Sequence, residues 1–190
     1  MPNGIRRWSP EDSPVVSGPL GGARDSAFLR DVFGQFATGV TVITAMSPLG
    51  PVGMTANSFS SVSLDPPLIL FSVSRKSRLC DPLTGSGSFA VNILSAEQRA
   101  LSAQFASPGL DRFGDTDWAR GATGCPVLPG VIAVLECRVV DVHRGGDHLI
   151  TVGEVVNAVL RETGESPLVF FRGEYQELKR PAGRAVRGGS

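Results

Sequence analysis

The apolar positions of the chain fall into two helix-like stretches and several runs that are typical of β-strands. Between residues 26 and 36 the apolar side chains recur three or four positions apart, which predicts an amphipathic helix with Ser26 as its N-cap. A similar spacing over residues 97–106 predicts a second helix, with Ser95 as the expected cap. The phenylalanines of the first helix are expected to pack in the core: Phe28, Phe33 and Phe36.

Elsewhere the pattern is dominated by apolar and β-branched runs of strand length. These runs cover residues 40–44, 53–63, 68–73, 89–94, 131–142, 149–160 and 168–171. The two longest are separated by Gly145 and Gly146, which predict a tight hairpin because such a turn requires positive φ. The strands follow one another mostly in hairpin order and the helices are few. The chain is therefore expected to be mainly β, with an antiparallel barrel rather than a doubly wound sheet.

One predicted strand, residues 53–63, differs from the others because its middle carries hydroxyl, amide and small side chains. Such a strand gives up the free energy that Val and Ile would gain by burial. It offers instead small polar groups and a backbone that a flat ligand can approach closely. The pattern therefore points to a heteroaromatic cofactor.

The two ends of the chain differ from its middle in composition. Residues 1–25 and 179–190 are rich in small residues and lack a periodic pattern, so they are predicted to be flexible tails. The intervening residues 26–178 are long enough for one domain with a substantial core. A composition of 42% hydrophobic and 19% charged residues is that of a globular protein.

The charge balance argues against partners that require a basic surface. Lys and Arg total 18 and so do Asp and Glu, so neither nucleic acid nor a membrane is an expected partner. No apolar run approaches the roughly 20 residues of a membrane span, and no signal peptide is recognised. Cys80, Cys125 and Cys137 are far apart and are expected to be free thiols of a cytoplasmic protein.

Two motifs with known chemistry are rejected because of their context. Residues 85–90 match the dinucleotide fingerprint, but a strand is predicted after the glycines where that motif requires a helix. We interpret them as a turn. His143 and His148 flank the predicted hairpin turn, and Asp147 is the only nearby candidate for a third metal ligand. Solvated loop residues are the better interpretation, so no metal site is expected.

Cations and hydroxyl groups alternate in residues 72–79, directly after a predicted apolar strand. Guanidinium and ammonium groups bind phosphate, and serine hydroxyls add further hydrogen bonds. If Arg78 begins a short helix, free backbone N–H groups contribute as well. A solvated basic loop is the alternative interpretation. Beside the polar strand, however, the segment indicates a phosphate site next to a ring site.

Six motifs, in this order, strongly resemble the short-chain flavin reductases, the reductase components of two-component flavin-dependent monooxygenases. They are FATGVTVIT at 36–44, GMTANSF at 53–59, SLDPPL at 63–68, FAVNIL at 89–94, GDHLI at 146–150 and FFRGEY at 170–175. The match extends over residues 26–178, which is nearly all of the predicted folded part.

The resemblance implies an FMN-binding split β-barrel with a few short helices, usually a homodimer with the flavin near the subunit interface. It implies flavin contacts at Val52, Gly53, Met54, Thr55, Asn57, Ser58, Ser72, Val73, Ser74, Ser77, Arg78, Leu79, Gln104 and Phe105. The nicotinamide is implied to lie against His148, Phe170, Phe171, Arg172 and Gly173. Which residue of the loop 75–78 binds the phosphate stays open.

The implied function is that of an NAD(P)H:flavin oxidoreductase of the EC 1.5.1 type. A hydride passes from NADH or NADPH to N5 of FMN or FAD, and the reduced flavin then serves a separate oxygenase. His148 is the implied catalytic residue, which positions the nicotinamide, and no side chain has to act as a nucleophile. Two alternatives are a non-catalytic flavin carrier and a pyridoxamine-phosphate-oxidase-like enzyme on a similar barrel. The sequence does not select one flavin or one nicotinamide.

Overall fold

The computed structural model describes residues 23–85, 87–108, 111–162 and 164–178. The predicted tails lie outside these residues, except for 23–25, which belong to the first helix. The described part is mainly β with a few short helices, as predicted from the strand-like runs.

Three α-helices and twelve strands make up this part of the chain. The helices are α1 (Ala23–Phe33), α2 (Cys80–Gly85) and α3 (Arg99–Ala106), and a 3₁₀ turn (Ala96–Gln98) precedes α3. The first six strands are β1 (Thr38–Gly39), β2 (Thr41–Ser47), β3 (Gly50–Ala56), β4 (Ser60–Leu64), β5 (Pro67–Ser74) and β6 (Ser88–Ile93). The last six are β7 (Ala119–Arg120), β8 (Pro126–Val127), β9 (Ala133–Gly145), β10 (His148–Leu160), β11 (Val169–Phe171) and β12 (Glu174–Gln176).

Seven strands form one antiparallel sheet in the order β3-β2-β6-β9-β10-β5-β4. The sheet curls around a shared core, although its edge strands β3 and β4 are not paired with each other within the described residues. Ser58 lies in the segment between these two strands, and its side chain extends the pairing of β4 with β5 beyond Ser60. Its hydroxyl accepts the N–H of Ser72 at 2.9 Å and donates to the Ser72 carbonyl at 3.2 Å. A side chain therefore provides hydrogen bonds where a strand ladder is missing.

Two hydrophobic clusters lie on opposite faces of the sheet. The inner one joins the concave faces of the long strands, with Phe71 and Phe89 in edge-to-face contact at 5.1 Å between ring centroids. Leu79 and Leu83, from α2 and the turn before it, complete this inner cluster. The outer one is covered by α3, through Phe105, and by the chain around Leu128. Apolar runs on both faces are thus explained by a sheet that is buried on both sides over part of its area.

Several predictions of local structure are confirmed. Ser95 is the N-cap of the 3₁₀ turn that leads into α3, and Gln98 Oε1 accepts the backbone N–H of Ser95 at 3.1 Å. Strands β9 and β10 form the predicted hairpin, although its two-residue turn is Gly146 and Asp147 rather than the two glycines; Gly146 has φ 66°. The glycine-rich segment at 85–90 connects α2 to a strand, β6, so it lacks the helix that a dinucleotide site requires.

Three predictions are wrong in detail. The polar run 53–63 forms two strands, β3 and β4, because the chain crosses between the sheet edges after Ala56. Helix α1 begins at Ala23, so Ser26 lies inside the helix and is not its N-cap. Phe33 and Phe36 are 68% and 78% exposed and do not pack in the core. Apolar spacing identifies the face of a helix that is to be covered, but it does not say what covers it.

Candidate functional site

The two faces of β3 pack against different parts of the protein. Val52 and Met54 pack on the inner cluster, whereas Gly53 and Thr55 face α3. A Cβ atom at Gly53 would lie 2.8 Å from Cε1 of Phe105, and the Thr55 hydroxyl donates to the Ser102 carbonyl at 2.6 Å. The small and polar residues of β3 therefore serve its packing against α3. This packing is a role additional to the expected one, in which a flat ligand approaches the strand backbone closely.

The free edge of β3 borders a cavity of about 510 Å³. Its lining consists of Pro51, Val52, Gly53, Lys76, Ser77, Arg78, Pro108, Asp111, Arg112 and Phe113. The Gly53 carbonyl lies at this edge, since Nη1 of Arg112 donates to it at 2.6 Å. In an antiparallel strand the N–H and C=O of one residue point to the same side, so the Gly53 N–H is directed to this edge as well. A ligand in the cavity meets strand backbone rather than strand side chains.

Three cations and one carboxylate line this cavity: Lys76, Arg78, Arg112 and Asp111. None of the three cations forms an ion pair within 4.0 Å with a residue of the described part of the chain. Burial and the charge of Arg78 hold the pKa of the Arg112 guanidinium below its usual range. The cavity therefore carries a net positive charge, which favours an anionic group.

The turn between β5 and α2 brings the predicted phosphate-binding residues to the cavity. The Ser77 N–H donates to the Ser74 carbonyl at 2.8 Å, and the Ser77 hydroxyl accepts the Leu79 N–H at 3.2 Å. Helix α2 begins at Cys80, two residues after Arg78. The cations of this turn are therefore presented by a hydrogen-bonded loop and not by a helix that starts at Arg78.

The opposite wall of the cavity is formed by Pro108 and residues 111–113, which the sequence pattern assigned only to a loop. Gln104 on α3 fixes this loop, because its side-chain amide donates to the Arg112 carbonyl at 2.9 Å and to the Thr116 hydroxyl at 2.8 Å. Phe113 packs edge-to-face on Phe105 at 5.0 Å. Arg112 is the residue that sequence reasoning missed. The available signal was the sequence Asp111-Arg112-Phe113, a cation between an acid and an aromatic residue in the loop that follows α3.

His148 lies at the first position of β10, directly opposite Ser74 on β5. Its Nδ1 is 2.7 Å from Oδ1 of Asp147, and this hydrogen bond holds the pKa of the Asp147 carboxyl below its usual range. The carbonyl of Asp147 also accepts the N–H of Arg75 at 3.1 Å. The imidazole is thereby oriented at the end of the sheet, next to the turn that lines the cavity.

The predicted nicotinamide segment forms the tight hairpin between β11 and β12. Both turn residues have positive φ, 52° at Arg172 and 81° at Gly173. The Arg172 backbone N–H donates to the Gly34 carbonyl at 2.8 Å, and its Nε donates to the side chain of Gln35 at 2.9 Å. Its guanidinium lies 5.1 Å from the centre of the Phe171 ring. A non-glycine residue in this conformation is held by these contacts against the end of α1.

A second cavity, of about 190 Å³, connects this hairpin to the end of β3. Its lining includes Thr55, Asn57 and Phe170. Tyr175 also lines it, stacks edge-to-face on Phe170 at 5.6 Å and donates to the Ser102 hydroxyl at 2.8 Å. The segment that was predicted to contact the flavin therefore borders two neighbouring cavities, one polar and one mostly apolar.

The structure gathers some of the predicted site residues and separates others. Val52, Gly53, Ser77 and Arg78 share the larger cavity, and Thr55, Asn57 and Phe170 share the smaller one. Val73, Leu79 and Phe105 are fully buried in the core and line neither cavity. His148 lies beside Ser74, whereas the hairpin at 172–173 lies against the end of α1, and no contact joins these two among the described residues. Within the described residues no helix is long and apolar enough to cross a membrane.

Comparison with known proteins identifies the family. Residues 33–179 match the model of the flavin reductase like domain. The chain is 45% identical to an FMN reductase (NADH) of Agrobacterium fabrum, with 84% of this chain and 90% of that protein covered. It is 42% identical to the reductase subunit HsaB of a flavin-dependent monooxygenase from Rhodococcus jostii, over 83% of this chain and 80% of that subunit.

A solved structure gives the same result for the fold. The NADH:FAD oxidoreductase SgcE6 of Streptomyces globisporus, solved in complex with NAD and FAD fragments, superimposes with a TM-score of 0.80 at 39% identity. The superposition covers 87% of this chain and all of that one. Relative length varies, since the chain spans only 51% of a further relative from Rhizobium meliloti. The match covers both walls of the cationic cavity and the strand between them, and the chain belongs to the flavin reductase like domain family.

Proposed function

We propose that this protein is an NAD(P)H:flavin oxidoreductase of the EC 1.5.1 type. It transfers a hydride from NADH or NADPH to FMN or FAD, and the reduced flavin is used by a separate flavin-dependent monooxygenase. The observation that carries the proposal is the cationic cavity along the edge of β3, in a chain that belongs to the flavin reductase like family. The names of its relatives support the same activity and the same two cofactors.

The residues present fit a flavin. A cavity of about 510 Å³ lies within the roughly 300–1,000 Å³ of small-molecule sites. Lys76, Ser77 and Arg78 supply charge and donors for a phosphate, and the β3 edge supplies backbone groups for a ring with polar edges. When it is bound, the flavin supplies the hydride acceptor, so the protein needs no nucleophile of its own.

The chain's own contribution is to bind and orient the two reactants. Ser77 and Arg78 hold the phosphate, and the edge of β3 around Gly53 holds the ring. His148 positions the nicotinamide. Because Asp147 fixes Nδ1, the Nε2 atom of His148 remains for the substrate. Arg172, held by Gln35, orients the remainder of that substrate. Fixing both rings at reacting distance is the main catalytic effect required.

The direct test is to mix the purified protein with FMN or FAD and NADH or NADPH, and to follow the loss of the nicotinamide absorbance band. We expect oxidation with at least one pair. Flavin binding without oxidation in any pair would instead identify a flavin carrier. A protein that oxidises pyridoxamine phosphate with bound FMN, and not NAD(P)H, would belong to the second alternative.

The proposed role of His148 has a matched control in the same hairpin. His148→Ala is expected to raise the KM for NAD(P)H about tenfold, the effect of one or two lost hydrogen bonds, while flavin affinity stays within about twofold. His143→Ala removes the other histidine, which pairs with Asp141 at 3.3 Å, and is expected to leave both constants unchanged. Loss of flavin affinity in His148→Ala would show that this residue belongs to the flavin side.

We also propose a homodimer in the cytoplasm. Phe33 and Phe36, together with Val32, form an exposed apolar surface on and after α1. Such surfaces mark contacts between proteins, and a second copy is the partner that the family resemblance implies. His148 and the 172–173 hairpin make no contact with each other among the described residues, and a second chain that supplies one of them would complete the site. The three cysteines are free, as a reducing compartment requires. Sedimentation of the wild type and of Phe33→Glu tests the dimer, and a wild-type monomer contradicts it.

A further inference from the structure

Arg112 links the loop wall of the larger cavity to the edge of β3. Its Nη1 donates to the Gly53 carbonyl at 2.6 Å, while Nε and Nη2 donate to the Ser107 carbonyl at 3.2 and 2.9 Å. Both acceptors are neutral backbone oxygens. The guanidinium is therefore fixed in position, but its charge is not compensated by these contacts.

Some N–H donors of the fixed guanidinium are not used by these contacts. Arginine carries five N–H groups, and the contacts with Gly53 and Ser107 use three of them. The remaining two, one on each Nη atom, have no partner among the described residues. Arg112 also lines the cavity and lies close enough to Arg78 for the two charges to repel.

The arrangement of charge across the cavity points to the ligand. Arg78 and Lys76 come from the turn after β5, and Arg112 comes from the opposite wall. Asp111 is the one carboxylate of the lining, and its Oδ1 already accepts the Phe113 N–H at 3.2 Å. Three positive charges against one negative charge leave a net charge of +2. This net charge complements a phosphate monoester or a diphosphate, each of which carries about two negative charges near neutral pH.

We propose that Arg112 is a phosphate-binding residue, which completes from the loop side a split site whose other half is Ser77 and Arg78. The inference rests on the proposed flavin substrate and names the part of it that Arg112 recognises. The fork on Gly53 and Ser107 aims the guanidinium in advance, so little side-chain freedom is lost when the phosphate binds.

The test compares flavins that differ only in the phosphate. Binding of riboflavin, FMN and FAD to the full chain is followed by flavin fluorescence for the wild type, Arg112→Gln, Arg112→Lys and Arg161→Gln. Arg161 is an exposed arginine at the far end of β10 and serves as the control. Arg112→Gln is expected to weaken FMN and FAD roughly 10- to 100-fold, the effect of a lost hydrogen bond to a charged group. Riboflavin should weaken by only about threefold.

The preference for phosphorylated flavin over riboflavin separates this role from a structural one. Arg112→Lys keeps the charge and loses the fork, so it should weaken all three flavins and retain part of the preference. Equal losses for all three flavins in Arg112→Gln would mean that Arg112 only supports the loop, and would overturn the proposal. A wild-type protein that binds riboflavin as tightly as FMN and FAD would also overturn the proposal. Neither result affects the proposed function, because that is decided by NAD(P)H oxidation in the wild type.

Discussion

Two regions of the molecule present ionised side chains in opposite ways, one buried and one exposed beside a cavity. Glu136 on β9 is 3% exposed, and its carboxylate accepts hydrogen bonds from the Thr123 N–H at 2.7 Å, the Thr123 hydroxyl at 2.9 Å and the Asn157 amide at 2.8 Å. In the cavity beside β3, Arg78 and Lys76 have no ion pair with any described residue. One charge is satisfied within the fold, and the others are left for something outside it.

The contrast distinguishes a structural charge from a binding charge. A carboxylate with all its partners inside the protein fixes a local structure, here the loop at 121–124 that covers β9. Exposed cations beside a cavity are screened by water and contribute little to stability, so they stay available for an anionic ligand. The three substitutions below test this distinction, beginning with the largest expected change in free energy.

The largest effect is expected at Glu136. Glu136→Ala removes the acceptor of several buried donors, so the free energy of unfolding should fall by roughly 2–4 kcal/mol. Urea denaturation measures the change, and the exposed Glu162→Ala should alter the same quantity by less than about 0.5 kcal/mol. Flavin affinity of the folded variant should be unchanged. A Glu136→Ala protein that is as stable as the wild type but no longer binds flavin would show that Glu136 is a binding charge and not a structural one.

The effect of Glu136 should also depend on pH. Burial opposes ionisation of this carboxyl, but hydrogen bonds from Thr123, Asn157 and Ala122 outweigh it and hold its pKa below the usual value of 4.5. A lowered folded-state pKa means that the stabilisation is present above the unfolded pKa and is lost as the pH falls through the folded one. The stability difference between wild type and Glu136→Ala should therefore shrink below about pH 4.5. If the stability difference between the two proteins stays constant as the pH falls, the Glu136 carboxyl is not ionised in the folded protein.

The second effect, on binding, is expected at Arg78. Arg78→Gln should weaken FMN or FAD roughly 10- to 100-fold, because a charge-assisted hydrogen bond is lost, and leave the urea midpoint unchanged. Arg75→Gln is the matched control, since Arg75 lies in the same turn, is exposed and does not line the cavity. Raising the salt concentration should reduce the difference between wild type and Arg78→Gln. If Arg75→Gln has the larger effect, the phosphate lies on the other side of the turn.

Much of the sheet could be predicted because apolar runs and turn residues act locally. The hairpin of β9 and β10 follows from two long runs and the turn glycines, and the cap of the 3₁₀ turn from Ser95 and Gln98. The break between β3 and β4 could not be predicted, because the polar pattern continues across it. It is set by the passage of the chain from one sheet edge to the other.

The site was harder to predict because half of it lies in a loop. The turn with Ser77 and Arg78 could be predicted as a phosphate site from its alternating hydroxyl groups and cations. Arg112 lies in a segment without periodicity and reaches the cavity only through tertiary contacts with Gly53 and Ser107. The packing role of Gly53 could not be predicted for the same reason, since the ring of Phe105 that requires a glycine there is 52 residues away in sequence.

The smallest effect tests whether every unpaired polar group signals a ligand. Thr151 on β10 is fully buried opposite Phe71, and its hydroxyl has no hydrogen-bond partner within the described residues. It borders neither of the two candidate cavities, so the hydroxyl is interpreted as a cost of burial and not as a recognition group. Thr151→Val keeps the shape and removes the hydroxyl, and should raise the free energy of unfolding by about 1 kcal/mol without changing flavin affinity.

Thr44→Val is the matched control for this substitution, because Thr44 is equally buried but its hydroxyl donates to the Pro126 carbonyl and accepts from Asn92. The free energy of unfolding of Thr44→Val should fall by about 1–2 kcal/mol. The same chemical change thus has the opposite sign at Thr44 and at Thr151. If Thr151→Val is also destabilising, its hydroxyl has a partner such as a buried water, and lack of a protein partner is no longer a sufficient sign of cost. If Thr151→Val instead weakens flavin binding, an unpaired hydroxyl group contributes to ligand binding even when it lies in the core. The unpaired and the paired hydroxyl are thus distinguished by the sign of the change in the free energy of unfolding, whereas the unpaired charge of Arg78 is recognised by a change in flavin affinity alone.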